Sequence, residues 1–149
     1  MPWVAITTND VLAVLNSSEL TTYQQFRPAA GQADPLATII GHVTTLAQGY
    51  IRRRHQLDAG GGIPASLVGD AAAIVAYRLL LRCGAKTGLE PRKQAHDDAM
   101  KTLERVGNGE IGVEAPVNPT AEITSAPAPS IVRPHRRPGN YVGDNWGDR

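Results

Sequence analysis

From Pro64 to Cys83 the chain reads PASLVGDAAAIVAYRLLLRC, and no other stretch limits the fold so tightly. Wound as an α-helix, it is apolar almost all round, because side chains advance by about 100° per residue. Only Ser66, Asp70 and Tyr77 share a narrow polar line, with Arg78 and Arg82 beside it. Such a helix must be touched from several sides and belongs in the middle of a bundle. It cannot span a bilayer: it is short and carries Asp70, Arg78 and Arg82.

The flanking segments supply the helices that would surround it. In DPLATIIGHVTTLAQGYIRRRH, Asp34 caps, Pro35 suits the first turn, and Leu36, Ile39, Ile40, Val43, Ala47, Tyr50 and Ile51 form one stripe. QLDAGGGIP then breaks the pattern with three glycines and a proline. Upstream, TTNDVLAVLNSSELTTYQQF predicts two short helices, one from a Thr/Asn/Asp cap and one from Ser17 or Ser18. Downstream, PRKQAHDDAMKTLERVGNG predicts a helix with Pro91 in its first turn. Its inner stripe is Ala95, Ala99, Leu103 and Val106, Asp97 and Lys101 form an i,i+4 pair, and Gly107 and Gly109 stop it. EIGV admits one short strand at 110–113. The expected fold class is therefore all-α, a small bundle of four to five helices over residues 1–113.

Residues 114–149 differ in kind. They hold six of the eleven prolines, and each interior proline would remove a helix donor and clash with the preceding turn. The segment reads as an extended Pro/Gly-rich arm that takes its shape from another polypeptide and is disordered in a single copy. The whole chain has 149 residues, enough for one modest core with this arm appended.

Several functions are disfavoured. Fifteen basic residues against fourteen acidic ones leave a net charge of +1, so the chain as a whole is no polyanion binder. The single cysteine, Cys83, forms no intrachain disulfide and fits a reducing compartment as a small core or helix-end residue. MPWVAITTND lacks a basic region before an apolar run, so it is not a secretory signal, and the chain reads as soluble and intracellular. His42, His55, His96 and His135 are scattered without metal-ligand spacing. His96, Asp97 and Asp98 are consecutive, so a helix splays them on a solvated face. AGGGIP lacks the Lys-Ser/Thr of a phosphate loop. No titratable pair is placed for acid–base work, so the expectation is no enzyme, no metal and no cofactor.

The arginines point to partners. Extrapolating the azimuth from Leu36 turns Arg54 toward the core, where Asp70 is its natural ion-pair partner. Arg52 and Arg53 point elsewhere, available to a partner surface or to DNA. In the arm, Arg133, Arg136 and Arg137 precede Tyr141 and Trp146. Asp144 and Asp148 leave only four arginines against two aspartates from 133 to 149. That balance suits a protein groove better than phosphate tracking, with tryptophan and arginine as anchors. A second reading is a small helical nucleic-acid-binding or regulatory protein using Arg52, Arg53 and the 133–137 cluster.

In order and spacing, ITTNDVLAVLNSSELTTY, YIRRRHQLDAGGGIPASLVGDAAAIVAYRLLLR and DDAMKTLERVGNGEIGV resemble the small head–tail connector proteins of Mu-like tailed phages. The matching positions are Tyr50, Arg54, Leu57, Pro64, Leu67, Ala76, Tyr77, Arg78, Leu79, Leu103, Gly109 and Ile111. The resemblance covers residues 5–113 and leaves the arm uncovered. His55 stands where the family has an aromatic, and AGGG stretches a loop that is usually compact. The resemblance implies a virion neck component, assembled in the host cytoplasm as a homo-oligomeric, dodecameric ring. That ring would sit between the portal protein and the next neck or tail protein, with DNA only as passing cargo and no membrane. It also implies a docking role for the arm.

Overall fold

The computed structural model describes residues 3–26, 28–86 and 88–120. In chain order these form β1 (Trp3–Val4), α1 (Thr8–Val14), α2 (Ser17–Gln25), α3 (Pro35–Ile51), β2 (Ile63–Pro64), a 3-10 turn (Ala65–Leu67), α4 (Val68–Arg82) and α5 (Leu89–Asn108). The five helices make an α-bundle, as the periodicity predicts.

The two shortest helices are started by reciprocal caps. Thr7 accepts from the Asp10 amide at 3.3 Å while Asp10 accepts from the Thr7 amide at 2.7 Å. Asn16 and Glu19 repeat the arrangement at 2.9 and 2.8 Å. Helices of seven and nine residues are marginal by themselves, so these boxes and the tertiary contacts hold them. In α3, Asp34 accepts from the Leu36 amide at 3.0 Å and Pro35 opens the first turn, as expected. Its buried line is Leu36, Val43, Ala47 and Ile51.

Helix α4 is the centre. Seven of its residues are buried, Ala71, Ala72, Ile74, Val75, Ala76, Leu79 and Leu80, and it packs on α1, α2, α3 and α5. Small residues at 71, 72 and 76 let its neighbours approach, while Ile74, Leu79 and Leu80 fill the gaps between them. On α5, Ala99, Leu103 and Val106 face it. The rings of Tyr77 and His96 meet at 4.9 Å between centroids.

Three local expectations are corrected. Residues 110–113 form no strand. After α5, Gly109 turns left-handed (φ +83°), and Glu110 and Gly109 donate to the Arg105 and Val106 carbonyls, a Schellman closure that leads the chain away. The ladder lies elsewhere, Trp3 opposite Pro64 and Val4 opposite Ile63. It exists because Gly62 lacks a side chain: a Cβ there would sit 2.9–3.0 Å from the Val4 backbone. Gly107 does not stop α5, which runs to Asn108. It is buried where α5 crosses α3, and a Cβ would meet the Tyr50 ring at 3.2 Å. Lys101 pairs with Asp98 at 3.3 Å, not with Asp97, which holds His96 Nδ1 at 3.0 Å.

Arg54 and Asp70 do not form an ion pair. Helix α3 ends at Ile51, and the Arg53 and Arg54 amides bond three residues back, to Tyr50 and Ile51. That tighter winding rotates the chain faster than 100° per residue, and all three arginines emerge into solvent. Asp70 stays half-buried with no ion partner among the described residues, and desolvation raises its pKa.

The first described residues of the proline-rich segment lie on the bundle. The Trp3 indole donates to the Glu114 carbonyl at 2.9 Å, and Ser66 donates to the Glu114 carboxylate at 2.8 Å. Further on, Asp58 accepts from the Asn118 amide at 3.0 Å, and the Thr120 amide donates to the Leu57 carbonyl at 2.8 Å. Residues 114–120 thus retrace the loop after α3. Arg133, Arg136, Arg137, Tyr141 and Trp146 lie outside the described residues.

Candidate interaction surface

The three arginines that close α3 are exposed, and each has a different neighbour. The Arg52 amide caps the helix, donating to the Gln48 and Tyr50 carbonyls. The Arg53 guanidinium lies over the Tyr50 ring, 4.9 Å from its centroid. The Arg54 stem passes beside Gly109, where α5 ends. None of the three, nor Arg78 or Arg82 on α4, forms an ion pair with a described residue. Arg92, Arg105 and Lys101 all do.

Arg53 also borders a groove of about 580 Å3 along one flank of α3. His42, Thr45, Leu46, Gly49 and Tyr50 complete the α3 side, at helical spacing, and Arg78 comes from α4. No carboxylate among the described residues lines it. Because α3 turns its Leu36–Val43–Ala47–Ile51 line inward, His42, Thr45, Gly49 and Arg53 on this flank stay exposed. The groove therefore offers an aromatic and aliphatic wall with positive charge, suited to an acidic partner carrying apolar side chains. Of the two arginines expected to be available to a partner, Arg53 borders the groove and Arg52 does not, and the groove itself was not expected. Its signal was a second stripe on α3, at 42, 45, 46, 49 and 53, hidden behind the stronger apolar one.

At another surface the ionic contacts are internal. Arg92 of α5 grips Glu19 of α2 with two hydrogen bonds of 2.7 Å, and donates a third, also 2.7 Å, to the Val14 carbonyl. The Arg92 guanidinium holds the Glu19 carboxyl below its ordinary pKa, and Glu19 raises that of Arg92. This clamp joins residues 73 apart and left no mark in the sequence pattern. Cys83 is the half-buried C-cap of α4, and burial pushes its thiol pKa up, away from the nucleophilic thiolate. No helix among the described residues is long and apolar enough to cross a membrane.

No curated protein and no solved structure matches the chain. One family model does, described as Bacteriophage Mu, Gp36, and it aligns with residues 6–131. The alignment takes in every described helix and continues into the proline-rich segment, past the 113 boundary of the resemblance seen in the motifs. A match over most of the chain means that this is a bacteriophage protein, a member of the Mu Gp36 family.

Proposed function

We propose that the protein is a structural head–tail connector of a tailed phage. It forms a homo-oligomeric ring in the virion neck, docks on the portal protein and joins it to the next neck or tail protein, without catalysis. The observation that carries this reading is the Mu Gp36 family match over residues 6–131, spanning both the bundle and the start of the arm. The bundle adds a physical reason. A ring subunit gains heterologous contacts from small surfaces repeated by rotation, and an extended arm enlarges such contacts without enlarging the domain. In this scheme Arg133, Arg136 and Arg137 meet acidic portal surface, and prolines limit the ordering entropy lost on docking.

The test is negative-stain imaging of the purified chain with the portal of the same phage. Ring-shaped complexes on the portal are expected, and a chain ending at residue 120 should keep its helical circular dichroism but lose portal binding. Unimpaired binding by that truncation removes the role assigned to the arm.

A nucleic-acid reading has one specific observation in its favour: Arg52, Arg53, Arg54, Arg78 and Arg82 lack ion-pair partners among the described residues. Duplex binding carried by those arginines weakens steeply with added salt, because counterions are released on binding. A salt-dependent gel shift without portal binding would favour that reading over the connector.

A further inference from the structure

Gly49 lies inside α3 and lines the groove between Leu46, Tyr50 and Arg53. Glycine weakens a helix interior relative to alanine, so its presence there calls for a reason. Gly107 has one in its contact with Tyr50. Gly49 has none within the bundle, since a Cβ there would meet nothing within 4 Å. The missing side chain opens the helix backbone to an incoming chain.

The arm carries the complementary chemistry. Its basic part, RPHRR at 133–137, is followed by PGNYVGDNWGD at 138–148, which has two carboxylates, two aromatic rings and no basic residue. The groove has two guanidiniums, an aromatic wall and no carboxylate among its described lining. We propose that the groove on α3 receives the segment Tyr141–Asp148 of a neighbouring copy. Trp146 seats beside Gly49, and Asp144 and Asp148 face Arg53 and Arg78. The assignment to a neighbour rests on the homo-oligomeric reading above; portal binding does not enter it.

Reach permits the contact. The described chain stops at Thr120, bonded to Leu57 just beyond the C-terminal end of α3. The stretch from there to Tyr141 spans up to about 70 Å when extended, at roughly 3.3–3.6 Å per residue. Helix α3 itself is only about 25 Å long. The arm's tip can therefore lie along the whole groove of an adjacent subunit.

Site-directed cross-linking of full-length chains tests this. In a Cys83→Ser background, one copy carries Thr45→Cys in the groove and a second carries Gly147→Cys beside Trp146. Mild oxidation should join the two about tenfold faster than it joins Gly147→Cys to Gln94→Cys, an exposed control position on α5, because docking raises the local thiol concentration. Arg53→Glu with Arg78→Glu should slow the reaction, and Asp144→Arg with Asp148→Arg in the tail copy should restore it. Gly49→Gln, which favours the helix while filling the groove, should slow it without loss of helicity. Equal rates at the groove and control positions overturn the proposal, and so do cross-links formed only within chains carrying both cysteines. Portal binding measured on Gly49→Gln separates the two readings. If it persists while the groove cross-link fails, only this contact falls.

Discussion

Replacing Arg92 with methionine keeps the aliphatic stem but removes the guanidinium that ties α5 to α2. Three hydrogen bonds of 2.7 Å go with it, two to the Glu19 carboxylate and one to the Val14 carbonyl. The two side chains retain 19% and 12% of their exposure, so the pair lies between two limits. Exposed ion pairs contribute about 0–1 kcal/mol, whereas breaking a buried pair costs about 3–5 kcal/mol because a charge is left stranded. Taking the middle, Arg92→Met should destabilise the bundle by about 2–3 kcal/mol. For a domain of this size each kcal/mol moves the melting temperature by about 4 °C, so Tm should fall by about 8–12 °C. Thermal melts followed by circular dichroism at 222 nm read this directly, and a double-mutant cycle with Glu19→Gln should return a coupling of about 1–2 kcal/mol. A Tm within about 2 °C of wild type, or no coupling in the cycle, would refute the view that this clamp fastens α2 and α5.

The same pair sets an acid limit. The folded Glu19 pKa lies below its unfolded value of about 4.3. Its stabilisation is therefore complete above that value and is lost as pH falls through the folded pKa. Melts between pH 3 and 7 should show the Arg92→Met deficit shrinking at the acid end; a constant deficit contradicts the assignment. Asp70 has the opposite sign. Burial raises its pKa, so the ionised form disfavours the fold at neutral pH, and Asp70→Asn should raise Tm at pH 7 but not at pH 3. Gly107→Leu forces a side chain into Tyr50 and should cost about 1–3 kcal/mol in urea unfolding despite its better helix propensity. Gly62→Ala must push back the Val4 backbone, at about 1–3 kcal/mol. In a Trp146→Phe background, Trp3 emission should shift to the red as β1 loosens.

Much of the architecture was legible in the chain before any contact was known. The apolar circumference of residues 64–83 places α4 at the centre, and Asp34–Pro35 marks where α3 begins, because these signals act within one or two turns of backbone. The Mu-like resemblance was legible in the same residues, and the family match extends it to residue 131. Direction across space was not legible there. The azimuth carried from Leu36 to Arg54 assumed three more residues of regular helix than α3 has, so the expected Asp70 pair does not form. Gly107 looked like a stop signal, since nothing local reveals that Tyr50 passes over it.

Periodicity and capping, then, marked four to five helices, the central place of α4 and the inner stripes of α3 and α5. Tertiary structure alone decided who meets whom: Arg92 with Glu19, Asp58 with Asn118, and Tyr50 with Gly107. The reason is that helix formation depends on hydrogen bonds four residues apart, whereas partners across the bundle depend on how whole helices pack, which no short window of sequence contains.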